Sequence, residues 1–130
     1  MIWFDLKPTQ PITDNVYTYQ QDIEEVDAVK VILDTHKVNE VDLIISDMAP
    51  DTTGDKSTDA MRSIALIEST LWMYQQLLKP DGKFAIKVFM GPGFDQLRDR
   101  LRDMYGAKSI KVFKPKSCRK NSKETYIVKI

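Results

Sequence analysis

Three charged side chains stand where the residues around them call for apolar ones. Lys87 interrupts Phe84-Ala85-Ile86 and Val88-Phe89, Asp47 closes the run Leu43-Ile44-Ile45-Ser46, and Glu124 directly precedes Thr125-Tyr126-Ile127-Val128. A lysine inside an apolar run is rarely buried alone, because an unpaired charge away from water is costly. Two acids converging on it would compensate the charge and could tune the amine as a proton acceptor. The plainer reading stays open: an internal ion pair without chemistry, or a lysine whose stem follows the strand while its ammonium reaches water. Asp5 and Asp22 also sit just past short β-like runs. There an acid can accept bonds from ribose hydroxyls or an adenine amino group, or simply cap a turn or helix.

These residues need elements that bring them together. Met1–Leu6 and Val16–Tyr19 read as short strands, β-branched and aromatic in character. Glu24–His36 carries Val26, Val29 and Leu33 at helical spacing, widened by Ala28 and Ile32. Val41–Ser46 is a continuous apolar run and reads as an inner strand of a parallel sheet. The polar segment 51–59 is a loop. Met61, Ile64, Ile67, Leu71, Tyr74 and Leu78 predict one long helix over 60–78, ended by Lys79-Pro80-Asp81-Gly82. Lys83–Phe89 is a strand, Phe94 to Met104 a helix, and Ser109–Phe113 and Thr125–Ile130 are strands.

Alternating strands and helices predict an α/β fold in a single domain over 1–130, mostly parallel, with helices on both faces. The last strand follows its neighbour through a loop, so it is expected to run antiparallel. Ligands in such sheets bind beyond the carboxyl ends of the strands, where Asp47 falls.

The composition is that of a globular chain, 42% hydrophobic and 29% charged. A lone cysteine, Cys118, excludes an internal disulfide, and with one histidine a zinc site is not expected. No apolar run approaches a membrane span and no secretory leader pattern opens the chain, so a cytoplasmic location is expected. Zero net charge hides an asymmetry. Residues 1–59 hold 13 acids and 4 bases; residues 60–130 hold 6 acids and 15 bases. The basic half favours a polyanionic partner such as nucleic acid, or else forms a solvated lysine-rich face. No acid falls between Lys108 and Glu124, a stretch holding Lys111, Lys114, Lys116, Arg119, Lys120 and Lys123. Such a segment suits contact with a phosphate backbone.

Ser46-Asp47-Met48-Ala49-Pro50, Lys87-Val88-Phe89 and Ser122-Lys123-Glu124-Thr125-Tyr126-Ile127-Val128 occur in an order that resembles the FtsJ/RrmJ family. Those are S-adenosylmethionine-dependent ribose 2′-O-methyltransferases acting on RNA. Phe4-Asp5-Leu6-Lys7-Pro8, Gln20-Gln21-Asp22, Leu78–Lys83, Gly91-Pro92-Gly93-Phe94-Asp95 and Lys114–Arg119 extend the resemblance over essentially the whole chain. Each motif is weak alone; the ordered set is specific. The resemblance implies a Rossmann-like methyltransferase sheet, with catalytic positions at Asp47, Lys87 and Glu124. Lys87 would deprotonate or orient the target 2′-hydroxyl, and the two acids would position that lysine. It also implies S-adenosylmethionine held by Asp5 on the ribose, Asp22 on the adenine amine, Ile23 against the adenine and Asp47 beside the methionine end. No metal is called for, because a sulfonium is already a good leaving group and alignment supplies much of the rate.

The implied substrate is ribosomal RNA or the large ribosomal subunit, with a uridine ribose as the target. The family pattern also begins with a further tetrad lysine, a first strand and a Gly-x-x-Pro-Gly-Gly loop. These 130 residues contain none of them and start at what would be the family's second strand. The expectation is therefore an N-terminally truncated domain, its first strand absent or supplied by another chain. Two alternatives stand beside the enzyme: a non-catalytic RNA-binding remnant, and an unrelated α/β protein with a structural ion pair.

Overall fold

The computed structural model describes residues 1–7, 10, 14–48, 53–114 and 124–130. The chain forms two compact units, Met1–Asn39 and Glu40–Ile130.

In the first unit, β1 (Ile2–Asp5) pairs in parallel with β2 (Tyr17–Gln20), from Ile2 opposite Tyr17 to Asp5 opposite Gln20. Phe4 stacks on Tyr19 with ring centroids 6.1 Å apart. Helix α1 (Val26–Thr35) follows and buries Val29 and Leu33, one turn apart on a single face. Its first turn is prepared by Asp22, whose Oδ1 accepts the Glu24 N–H at 2.9 Å and whose carbonyl accepts the Glu25 N–H at 3.1 Å.

The second unit holds a four-stranded sheet in the order β3 (Val41–Ser46), β4 (Leu78–Phe89), β6 (Glu124–Lys129), β5 (Ile110–Phe113). Strand β3 runs parallel to β4, and β6 is antiparallel to both β4 and β5. The last strand is therefore the reversed one, as its loop connection requires. Successive side chains on a strand point to opposite faces, so register divides the sheet in two. One face carries Phe84, Ile86 and Val88 of β4, Ile127 of β6 and Ile110 of β5. All are buried with Ile64 and Ile67 of α2 (Lys56–Glu68), Leu71 and Tyr74 of α3 (Leu71–Leu77), and Phe94, Leu97 and Leu101 of α4 (Phe94–Tyr105). All three helices of this unit cover that one face. Lys87, Tyr126 and Lys111 belong to the other face.

Three expectations need correction. First, Val41–Ser46 is an edge strand of this described sheet rather than an inner one. Ile44 and Ser46 turn toward the core, whereas Leu43 and Ile45 are 54% and 69% exposed. A continuous apolar run signals burial on both sides, but here one side alone is covered. Second, the long helix is two. The Ser69 hydroxyl donates to the Leu66 carbonyl at 2.6 Å and the Thr70 hydroxyl to the Ile67 carbonyl at 2.8 Å. Both compete with backbone donors for helical carbonyls and break the rod between Glu68 and Leu71. Third, Lys79-Pro80-Asp81-Gly82 belongs to β4 rather than to a turn. Pairing jumps from Val41 opposite Leu78 to Leu43 opposite Lys83, so the extra residues are absorbed as an irregularity of one strand. The ammonium of Lys129, buried on the core face, donates there to the carbonyls of Pro80 at 3.4 Å and Gly82 at 2.5 Å.

The end of β4 is fixed by close approach to α2. The Phe89 N–H donates to the Ser63 hydroxyl at 3.3 Å, and a Cβ on Gly91 would lie 2.6 Å from the Ala60 Cβ. Gly91 also holds φ at +150°, a conformation that suits residues without a Cβ. Gly91→Ala is expected to lower stability by about 1–3 kcal/mol, the usual range for overpacking, read as a reduced urea midpoint at unchanged slope.

Candidate functional site

Lys87 lies near the carboxyl end of β4, on the face opposite the one that α2, α3 and α4 cover. Register brings two acids beside it. Ser46 pairs with Ile86, which sets Asp47, the first residue beyond β3, next to Lys87. Glu124 opens β6 opposite Phe89, and because Phe89 lies two residues beyond Lys87 in β4, Glu124 shares the face of Lys87. The Lys87 ammonium is 3.2 Å from Asp47 Oδ1 and 3.3 Å from Glu124 Oε1. Its side chain is 17% exposed, those of Asp47 and Glu124 68% and 39%. The amine is thus sunk between two carboxylates that keep an open side to solvent.

The electrostatics follow from this packing. Partial burial opposes the charge on Lys87, but hydrogen bonds and attraction from Asp47 and Glu124 outweigh it and raise its pKa above the ordinary lysine value of 10.5. The group is therefore an ammonium at neutral pH, able to donate to an oxygen placed beside it. Its contribution to stability is complete below 10.5 and disappears as the pH rises through the higher folded-state value.

The other predicted residues fall in three places. Asp5, Asp22 and Ile23 lie in the first unit, all half-buried, with Asp5 ending β1 and Asp22 two residues past the matching end of its parallel partner β2. Asp5 Oδ1 accepts the Lys7 N–H at 3.0 Å, and Asp22 Oδ1 accepts that of Glu24. Each thus also does the turn-forming work that the plainer reading assigned to it. Lys111 is exposed on β5, and Lys114 follows that strand with its ammonium 2.9 Å from the Glu124 carbonyl. Lys116, Arg119, Lys120 and Lys123 lie outside the described residues.

Sequence reading missed Asp59. It was placed in a loop, but it is fully buried in the first turn of α2, where Oδ1 accepts both the backbone N–H of Thr53 at 2.8 Å and its hydroxyl at 3.0 Å. Its only sequence signal is an acid near a helix start, which is common. Ser63 and Lys129 were missed for a similar reason, since each reads as a polar residue in an ordinary amphipathic pattern.

A parallel sheet with one reversed strand, and charged groups gathered at its carboxyl end, defines a Rossmann-like α/β protein. The comparisons narrow this further. Residues 2–130 match the model of the FtsJ-like methyltransferases, and the chain belongs to that family. It is 40% identical over 124 residues to the ribosomal RNA large subunit methyltransferase E of Hydrogenovibrio crunogenus, covering 95% of this chain and 59% of that protein. The chain thus spans less than two thirds of that relative's length. A crystal structure of a Plasmodium falciparum protein assigned as a ribosomal RNA methyltransferase superimposes with a TM-score of 0.80 at 26% identity, over 99% of this chain and 70% of that one. Among the described residues, no helix is long and apolar enough to cross a membrane.

The state of Lys87 can be read directly. With lysine side chains isotopically labelled, the Nζ resonance of Lys87 is expected to titrate above 10.5, and Asp47→Asn should move that midpoint down. An unchanged midpoint would mean that the carboxylate does not hold the charge.

Proposed function

We propose that this protein takes part in S-adenosylmethionine-dependent methylation of a ribose 2′-hydroxyl in ribosomal RNA, on a uridine of the large subunit. The observation that carries the reading is the Lys87 ammonium, lying 3.2 Å and 3.3 Å from two carboxylates at the carboxyl end of the sheet. Family membership supports methyl transfer. The names of the two similar proteins support ribosomal RNA as the acceptor, as does the excess of 15 bases over 6 acids in residues 60–130.

S-adenosylmethionine, when bound, supplies a methyl group already activated on a sulfonium. The chain's part is to bind, orient and handle the proton. Lys87 enters as an ammonium, so its role is to hold the 2′-oxygen by a donated hydrogen bond and to stabilise the negative charge that grows there. Taking up the hydroxyl proton itself would first require loss of its own, which Asp47 and Glu124 oppose. Asp47 is the more exposed of the two carboxylates and has room to accept from an incoming hydroxyl. Glu124 is the less exposed and fixes the amine from the other side. Lys111, Lys114, Lys116, Arg119, Lys120 and Lys123 are assigned to the phosphate backbone.

The donor set for the cofactor is reasonable. Half-buried Asp5 and Asp22 at the ends of paired parallel strands suit ribose hydroxyls and an adenine amine, and Ile23 offers an apolar contact. Asp47 is assigned to the methionine end on family resemblance.

Two measurements test this. Lys87→Ala should lower methyl transfer to ribosomal RNA at least about 100-fold, the lower range for losing a preorganised donor to a developing oxyanion, while RNA binding persists. Unchanged turnover would sink the assignment. In calorimetry, saturable binding of S-adenosylmethionine should weaken in Asp5→Ala and in Asp22→Ala. Absence of saturable heat from the wild-type chain would leave RNA binding without methyl transfer.

A further inference from the structure

Register sets a third residue in line with Lys87. Tyr126 of β6 is directly opposite Lys87 of β4, and Phe113 of β5 is directly opposite Tyr126. Residues opposite one another across a sheet share a face. Lys87, Tyr126 and Phe113 therefore form one row on the face that α2, α3 and α4 leave uncovered. Two strand spacings set the backbones of Phe113 and Lys87 about 10 Å apart. Both stand at the end of the sheet where Asp47 and Glu124 gather.

Phe113 is a large apolar side chain that gains nothing obvious from its position. It is 55% exposed, although Ile110 of the same strand is buried in the core. The charge along β5 itself is positive. Lys111 lies two residues earlier on the same face of β5, Lys114 follows directly, and no acid occurs between Lys108 and Glu124. An apolar partner chain would meet the cost of desolvating these lysines. A flat aromatic ring with cationic neighbours instead suits a nucleobase whose phosphates lie on the lysines.

We propose that Phe113 is a stacking platform for an unpaired base of the RNA strand whose ribose lies at Lys87, with Tyr126 as the floor between them. Lys111 holds the neighbouring phosphate. This places an unstacked nucleotide, rather than a continuous duplex, along the row. It names a contact to the base in a site whose other contacts go to sugar and phosphate. The inference rests on the RNA reading given above.

The test compares binding of the full chain to a short single-stranded RNA and to the same strand made abasic, each over a range of salt. Phe113→Ala should bind the base-bearing strand about tenfold more weakly, within the range found for stacked bases. It should bind the abasic strand as the wild type does, with an unchanged salt slope, because no phosphate contact is lost. Phe113→Trp should keep the affinity, and Phe113→Leu should lose it despite its bulk. The side chain is exposed, so these variants are expected to fold normally. Equal binding of wild type and Phe113→Ala to the base-bearing strand would overturn the stacking role while leaving RNA binding in place. A loss of equal size on both strands with a shallower salt slope would overturn it too, by showing an effect through the lysines. If the wild type bound neither strand, this inference and the RNA reading would fall together.

Discussion

An ammonium held between two carboxylates is the constraint on which the arrangement of the second unit turns. Lys87 is tolerable inside a strand only because Asp47 and Glu124 lie within 3.3 Å of it. Removing either acid would leave a mostly buried charge undercompensated, which is more costly than never having placed it there. Lys87 and Glu124 belong to β4 and β6 and Asp47 directly follows β3, so the ion pairs also report that β3, β4 and β6 are correctly paired. The chemistry is consistent with this: a charge that the fold must neutralise is also one that can be lent to an oxygen as it becomes negative.

Why the acids meet the lysine was partly legible in the sequence. An acid ending one apolar run, a lysine inside a second and an acid starting a third are three anomalies of the same kind, and a sheet gives such anomalies a common edge. The element order and the reversed last strand were also readable, because connection length dictates direction. What could not be read was local competition. The hydroxyls of Ser69 and Thr70 break a helix whose apolar spacing runs through without interruption. Pro80 and Gly82 look like a turn, yet their carbonyls receive the Lys129 ammonium and the segment stays extended. Both outcomes depend on partners that periodicity does not encode.

Burial was the least legible quantity. Val41–Ser46 reads as buried on both sides because nothing in a strand says which of its faces a neighbour will cover. Alternation in β6 is clearer in the structure, where Thr125 and Ile127 are buried on the core face and Tyr126 and Val128 lie on the other. Asp59 shows the reverse error. A polar residue in a polar stretch passed as solvent-facing, whereas it is fully buried and holds Thr53 by two bonds. Neither case turns on residue type alone. Both depend on which surface a neighbouring element happens to occupy.

Strand β6 carries Glu124 at one end and Lys129 at the other, an odd number of residues apart and so on opposite faces. A slip of one residue in its pairing would turn Glu124 away from Lys87 and, in the same movement, lift Lys129 from its two carbonyls and bring Ile127 out of the core. Mispairing is thus penalised at both termini and in the middle at once. The strand proofreads its own alignment: the chain cannot gain a stable hydrophobic interior while leaving the three charged groups scattered.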